Sequence, residues 1–201
     1  MDIATFGRRK HGCAVMLFHK PTKTAFVMPP KNGTTSLITF LRKLDFKFVP
    51  NKDFQITNIG HPFPKNLVAL YPNLANYTIY GFFRNPLDRY LSIVKMYKRL
   101  GKIIKPSHFT EFDQVGFKLP KELAARQVEW FDQPNIAPLD FDNYETEVKA
   151  VGQRHGRPDL PVPRMNVGKF DVEITPDIEA FVRDYYAADY QFAKGVLGKE
   201  Y

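Results

Sequence analysis

Residues 26–37 of the chain read Phe-Val-Met-Pro-Pro-Lys-Asn-Gly-Thr-Thr-Ser-Leu, and this stretch decides the expected fold. The apolar residues 25–28 predict a short buried strand, and the two prolines that follow end it because proline donates no ladder hydrogen bond. Apolar residues then recur at the spacing of one helix face: Leu37, Ile38, Leu41 and Leu44. The sequence therefore predicts a strand, a tight loop and a helix.

The loop between this strand and helix has the composition of an anion-binding site. The first turn of a helix carries backbone N–H groups without partners and the positive end of the helix dipole. Gly33 lets the backbone approach a ligand closely, and Lys31 adds a positive charge. Amide or hydroxyl side chains occupy the other positions: Asn32, Thr34, Thr35 and Ser36. An ordinary turn with Thr34 as N-cap does not require this combination, so phosphate binding is the favoured interpretation.

The loop differs from a Walker A motif, which ends in Gly-Lys-Ser/Thr, because here Lys31 precedes the only glycine of the loop. The order Pro-Lys-x-Gly-Thr-Thr-Ser-Leu instead resembles the 5′-phosphosulfate loop of sulfotransferases that use 3′-phosphoadenosine 5′-phosphosulfate (PAPS). The resemblance implies that residues 31–36 bind the 5′-phosphosulfate group.

A second strand-to-helix turn lies at residues 82–92, which read Phe-Phe-Arg-Asn-Pro-Leu-Asp-Arg-Tyr-Leu-Ser. Residues 76–83 are rich in β-formers and predict a strand, and Asn85 is a suitable cap for the helix that follows. The turn resembles the 3′-phosphate motif of sulfotransferases, in which a strand-end arginine and a helix serine hold that phosphate. The resemblance assigns these roles to Arg84 and Ser92, and a guanidinium group suits phosphate because it binds as a fork. A salt-bridged arginine and a solvated serine are the alternative for this motif taken alone.

Weaker similarities to the membrane-associated, Golgi-type carbohydrate sulfotransferases extend over most of the chain. Those enzymes usually carry an N-terminal membrane anchor, whereas this chain begins almost at its first strand. The expected fold is one three-layer α/β domain over residues 1–201, with a mostly parallel central sheet, helices on both faces and a P-loop-like nucleotide site. Ligands of such open sheets bind beyond the carboxyl ends of the strands. The resemblance also implies PAPS as donor, 3′-phosphoadenosine 5′-phosphate (PAP) as product and no metal.

Sulfuryl transfer, like phosphoryl transfer, is expected to be an in-line displacement that builds negative charge on the leaving phosphate oxygen. Lys31 is the expected stabiliser of that charge. By resemblance, His61 in the Gly-His-Pro-Phe segment at residues 60–63 is the candidate base for the acceptor hydroxyl. An ordinary hydrogen-bonded turn histidine fits His61 equally well, and His108 and then Glu111 are the alternative bases.

The net charge of +8 suits an anionic ligand such as a nucleotide, a nucleic acid or an acidic glycan. The expected partners are a nucleotide sulfate donor and a hydroxyl acceptor on a glycan or small molecule, without nucleic acid. A P-loop-type phosphotransferase and a non-catalytic binder of nucleotide, nucleic acid or glycan are the competing interpretations. No apolar run approaches the roughly 18 residues of a membrane span, and residues 1–10 are too polar for a signal peptide, so a cytoplasmic location is expected.

The rest of the chain gives coarser expectations. The apolar segments 12–18 and 24–28 predict adjacent strands or a hairpin, and residues 139–141 an edge strand. Thr175 and Pro176 predict the start of a last helix, with Gly195 just after its end. Further helices are expected at residues 65–71, 119–131 and 144–151.

Overall fold

The computed structural model describes residues 16–48, 63–70, 72–110, 119–164 and 171–201, so His61 and Glu111 lie outside the described residues. Its centre is a five-stranded sheet of order β3-β1-β2-β4-β5. The strands are β1 (Met16–His19), β2 (Thr24–Val27), β3 (Lys47–Phe48), β4 (Thr78–Phe83) and β5 (Ile136–Asp140).

Four of the five strands point the same way. β1 runs antiparallel to both β2 and β3, whereas β2 pairs with β4, and β4 with β5, in parallel. The expected hairpin is thus formed by β1 and β2, in a register that places Met16 opposite Val27. β5 is an edge strand, as expected from its sequence. The mostly parallel α/β sheet is confirmed.

Eight α-helices are present in the described ranges. They are α1 (Thr34–Arg42), α2 (Pro64–Leu70), α3 (Pro86–Arg99), α4 (Ser107–Thr110), α5 (Lys121–Ala124), α6 (Tyr144–Arg154), α7 (Pro176–Tyr185) and α8 (Ala187–Phe192). Proline at the first position of α3 and the Asn85 side chain, which accepts hydrogen bonds from the N–H groups of Leu87 and Asp88, confirm the predicted start of that helix.

Both faces of the sheet are covered. Successive strand residues point to opposite faces, so Phe26 packs with residues of α1 and α6, while Ala25 and Val27 pack with Trp130. A third apolar cluster joins α3, α4 and α7 beside the sheet, around the buried ring of Phe109. The three-layer arrangement is confirmed.

The prediction of one helix over residues 119–131 is wrong. α5 ends at Ala124, Ala125 and Arg126 are extended, and a 3₁₀ turn follows from Gln127 to Trp130. The break frees backbone groups for two buried charges: the carbonyl of Ala125 accepts from Arg89, and the N–H of Gln127 donates to Asp189. A continuous helix would keep these groups for its own ladder.

The predicted end of the last helix is also wrong. Thr175 caps α7 as expected, because its side chain accepts a hydrogen bond from the Ile178 N–H. Gly195, however, lies inside a π-helical turn from Ala193 to Leu197, and the chain reverses at Gly198, where φ is +64°. The Lys199 N–H donates to the carbonyl of Ala193, which closes this wider turn three residues later than predicted. In the described ranges, no helix combines the length and apolar character needed to cross a bilayer.

Candidate functional site

The two phosphate-type motifs meet at one edge of the sheet. Strands β2 and β4 are parallel neighbours, so the loop after β2 and the turn after β4 leave the sheet at the same end. Nη1 of Arg84 donates a hydrogen bond to the carbonyl oxygen of Lys31 at 3.0 Å. The residues that the sequence singled out 53 positions apart are therefore in direct contact.

The loop is a tight, left-handed turn. Lys31 and Gly33 have φ values of +72° and +74°, and the Asn32 N–H and the Thr34 hydroxyl both donate to the carbonyl of Pro29. Gly33, not Thr34, is the N-cap of α1. A Cβ on residue 33 would lie 2.8 Å from the ring of Phe141, so only glycine fits at this φ and this distance.

The first turn of α1 has backbone N–H groups that are available to a ligand. Within the described ranges, no acceptor is bonded to the N–H groups of Gly33, Thr34 or Thr35, and the Thr35 side chain is exposed. Ser36, by contrast, is buried beside Tyr144. The start of the helix therefore offers several N–H groups and the positive end of its dipole to an anion.

Lys31 sits in a strongly electropositive environment. Burial, followed by the positive charges of Arg99, Arg84 and Arg89, lowers the pKa of its ammonium group to about 8. No acidic side chain of the described residues forms an ion pair with it. Lys31 thus lies among three arginines and has no ion-paired carboxylate of its own in the described ranges, an arrangement that favours an anion beside it.

Arg84 has unused hydrogen-bonding capacity. Its guanidinium group lies 4.8 Å above the ring of Phe141, and burial lowers its pKa, with Asp88 opposing the shift. Its Nε atom is shielded from water and has no acceptor among the described residues. A buried donor without a partner is costly, and an oxyanion at this edge of the guanidinium would satisfy it.

A buried glutamine, which sequence reasoning missed, joins the two motifs. Gln127 is fully buried, and its Oε1 accepts from Nδ2 of Asn32 at 2.7 Å and from the Arg84 N–H at 3.0 Å. Its Nε2 donates to the Arg84 carbonyl at 2.7 Å. Nδ2 of Asn32 also donates to the carbonyl of Phe82 at 2.6 Å. The Asn32 side chain, predicted to bind ligand, thus has its donor engaged in holding the loop to β4.

The buried side chains of Arg89 and Asp189 form hydrogen bonds with the backbone of the same loop and of the turn beside it. Nε of Arg89 donates to the carbonyl of Pro30, and its Nη1 to that of Ala125. The carboxylate of Asp189 accepts from the N–H groups of Gln127 and Val128, each at 2.9 Å. Burial raises the pKa of Asp189, while these two amides and the charge of Arg89 oppose the shift.

The remaining predicted residues fall in different places. Ser92 is partly buried on α3, two turns before Arg99, whose positive charge contributes to the lowered pKa of Lys31. His108 is buried, and its Nδ1 accepts from the Lys105 N–H at 3.0 Å. The proposed base His61 lies outside the described residues.

Comparison with known proteins gives one structural similarity. No protein-family model matches the sequence, and no curated protein matches it. A solved structure, a sulfotransferase from Alicyclobacillus acidocaldarius, is similar over 89% of this chain and 96% of its own, with 13% sequence identity and a TM-score of 0.49. At this identity and score, the similarity does not identify the family of this chain.

Proposed function

We propose that this protein transfers a sulfuryl group from PAPS to an acceptor hydroxyl on a carbohydrate or small molecule. The proposal rests on one observation, the direct contact between Arg84 and the carbonyl of Lys31, which brings a 5′-phosphate-type loop and a 3′-phosphate-type arginine into one site. A nucleotide with a phosphate at each end of its ribose matches this pair of anion sites. The sequence of the loop favours PAPS over other such nucleotides, because its residue order resembles the 5′-phosphosulfate loop of sulfotransferases and differs from the Walker A motif.

Each residue then has a distinct task. The N–H groups of Gly33, Thr34 and Thr35 bind the 5′-phosphate, and Arg84 with Ser92 binds the 3′-phosphate. Lys31 stabilises the negative charge that develops on the leaving phosphate oxygen. His61 accepts the proton of the acceptor hydroxyl. PAPS itself supplies the activated sulfuryl group.

The first test of the proposal compares how strongly different nucleotides stabilise the protein. PAP at 100 times its dissociation constant should stabilise the fold by about 2.7 kcal/mol, which raises the melting temperature by about 5–10 °C for a chain of this size. ATP with magnesium or an oligonucleotide should raise it less. Transfer of labelled sulfate from PAPS to a panel of carbohydrate and small-molecule hydroxyls is the second step. Stabilisation by ATP–magnesium and not by PAP would instead indicate a phosphotransferase.

Replacing Arg84 by glutamine should weaken PAP binding by about 1.5–3 kcal/mol, because a charged hydrogen bond to the 3′-phosphate is lost. Affinity for adenosine 5′-monophosphate, which lacks that phosphate, should change far less. Titration calorimetry with the two nucleotides measures the difference. Arg154→Gln is the matched control, since Arg154 is exposed at the far end of the sheet beside Tyr80. An equal loss of affinity for both nucleotides would show that Arg84 does not bind the 3′-phosphate.

Binding of PAP near pH 8.5 should take up protons. The pKa of Lys31 lies at about 8 in the folded protein, against 10.5 when unperturbed. The folded state therefore binds fewer protons than the unfolded state between these values, and the contribution of Lys31 to stability rises with pH across this window. An anion restores the charged form, so about 0.7 proton should enter per nucleotide at pH 8.5.

Calorimetry in two buffers of different ionisation enthalpy measures this uptake. The variant Lys31→Met should show none of it, whereas Lys43→Met, an exposed lysine at the other end of α1, should keep it. Identical heats in the two buffers for the unmodified protein would show that Lys31 does not face the bound anion.

A further inference from the structure

The segment after α3 combines exposed aliphatic side chains with positive charge. Residues 98–105 read Lys-Arg-Leu-Gly-Lys-Ile-Ile-Lys, with four cations and no acidic residue. Leu100 is 61% exposed and Ile103 is 81% exposed, the two highest values for large apolar side chains in the part of the chain that the structure describes. We refer to residues 98–105 as the docking loop.

The exposure of these side chains is fixed by the backbone. The N–H of Gly101 donates to the carbonyl of Lys98, and the N–H of Lys102 to that of Tyr97, while φ of Gly101 is +71°. This pattern is a Schellman motif, which ends α3 and reverses the chain. The other end of the docking loop is held by the bond from the Lys105 N–H to His108.

The backbone of the docking loop buries one of its two isoleucines and exposes the other. Ile104 is only 7% exposed and packs in the same cluster as Phe109, whereas its neighbour Ile103 points outward. Leu100 and Ile103 are therefore held in contact with water by a well-formed turn, and two such side chains within one short loop form a candidate surface for contact with an apolar phase.

Lys98 and Lys105 of the docking loop form no ion pair with any described residue. Nζ of Lys98 donates to the backbone carbonyl of Asp171 at 3.1 Å and forms no ion pair with its carboxylate. Arg99 contributes to the anion site around Lys31 and is not counted with these two lysines. A partner that covers the aliphatic pair thus meets positive charge beside it, which favours an anionic partner.

We propose that the docking loop binds the surface of an anionic phospholipid membrane. Aliphatic side chains that enter the boundary between headgroups and acyl chains, flanked by cations that meet lipid phosphates, are the features of an interfacial membrane anchor. A nucleic acid would use the same cations, but its charged backbone offers no apolar phase that the exposed side chains of Leu100 and Ile103 could enter. The proposal does not depend on sulfuryl transfer.

Co-sedimentation with vesicles tests whether the docking loop binds an anionic membrane. The full chain should bind vesicles of phosphatidylserine in phosphatidylcholine and not vesicles of phosphatidylcholine alone, and added salt should weaken the binding. Lys98→Gln with Lys105→Gln should weaken it about 25-fold, at about fivefold per cation. Leu100→Ser with Ile103→Ser should weaken it at least about tenfold, because less apolar surface enters the membrane. Arg99 stays unchanged since it belongs to the anion site.

A matched control separates the docking loop from surface apolarity in general. Val196 is 56% exposed on the π-helical turn next to Lys194, so Val196→Ser should leave vesicle binding unchanged. All of these variants should melt at the temperature of the unmodified protein, because the replaced side chains are exposed. Equal binding to both vesicle types, no binding to either, or unchanged binding by the aliphatic variant would overturn the proposal. Binding of a duplex oligonucleotide that only the lysine variant loses would assign the loop to nucleic acid instead.

Discussion

Replacing Lys31 by methionine should lower sulfuryl transfer by at least about 10²–10³-fold, the effect typical of removing one preorganised group that stabilises transition-state charge. The ammonium group is the only cation of the loop itself. Methionine keeps most of the length of the side chain and removes its charge. The remaining site, the N–H groups of Gly33 and Thr34 and the arginine of the second turn, should still bind the nucleotide, so the loss should appear in turnover more than in affinity.

The fold should survive this change. The lowered pKa of Lys31 shows that its charged form is disfavoured by burial and by three arginines, so removing the charge costs the folded state nothing electrostatically. Methionine should tolerate the positive φ of residue 31 as well as lysine does, because neither side chain is branched at Cβ. Circular dichroism should therefore match that of the unmodified protein, and the free energy of unfolding in urea should be at least as large.

Initial rates of label transfer from PAPS measure the effect, with Lys43→Met as the control of equal chemistry on an exposed side chain. Turnover close to that of the unmodified protein in Lys31→Met would exclude Lys31 from the chemical step. A proportional loss in Lys43→Met would mean that positive charge acts through general attraction of the nucleotide and not at the leaving group.

The local parts of the site could be predicted from the sequence. Pro29 and Pro30 end a strand, and Asn85 and Pro86 start a helix, through backbone chemistry that acts within a few residues. Parallel neighbouring strands then bring their following turns to one edge, which is why the loop and Arg84 meet as expected.

The supporting residues could not be predicted, because their partners are far apart in sequence. Gln127 is 95 positions from Asn32 and 62 from Asp189, and no local pattern distinguishes a glutamine that will be buried from one on a surface. The same residues explain the broken helix at 119–131. Apolar residues at 119–131 have helical spacing, but Arg89 and Asp189 form hydrogen bonds with backbone groups that a continuous helix would use itself. Tertiary hydrogen bonds therefore outweigh the local preference for a helix.

Arg89→Met should reduce the free energy of unfolding by about 3–5 kcal/mol, the cost of removing one partner from a buried charged network. Arg89 is fully buried, and its guanidinium group donates to four carbonyl oxygens: those of Pro30, Glu122, Leu123 and Ala125. Methionine fills much of the same space but leaves these acceptors without donors. Against a typical total of about 5–15 kcal/mol, the loss is a large share of the stability of the protein.

Urea unfolding measures this loss, and Arg126→Met is the matched control. Arg126 is exposed and donates to a single carbonyl, that of Tyr185, so its replacement should cost less than about 1 kcal/mol. The double variant Arg89→Met with Asp189→Asn should lose less than the sum of the two single changes, since the neutral asparagine no longer needs the charge of Arg89. Equal losses for Arg89→Met and Arg126→Met would show that the Arg89 hydrogen bonds do not hold the loop of Lys31 in place.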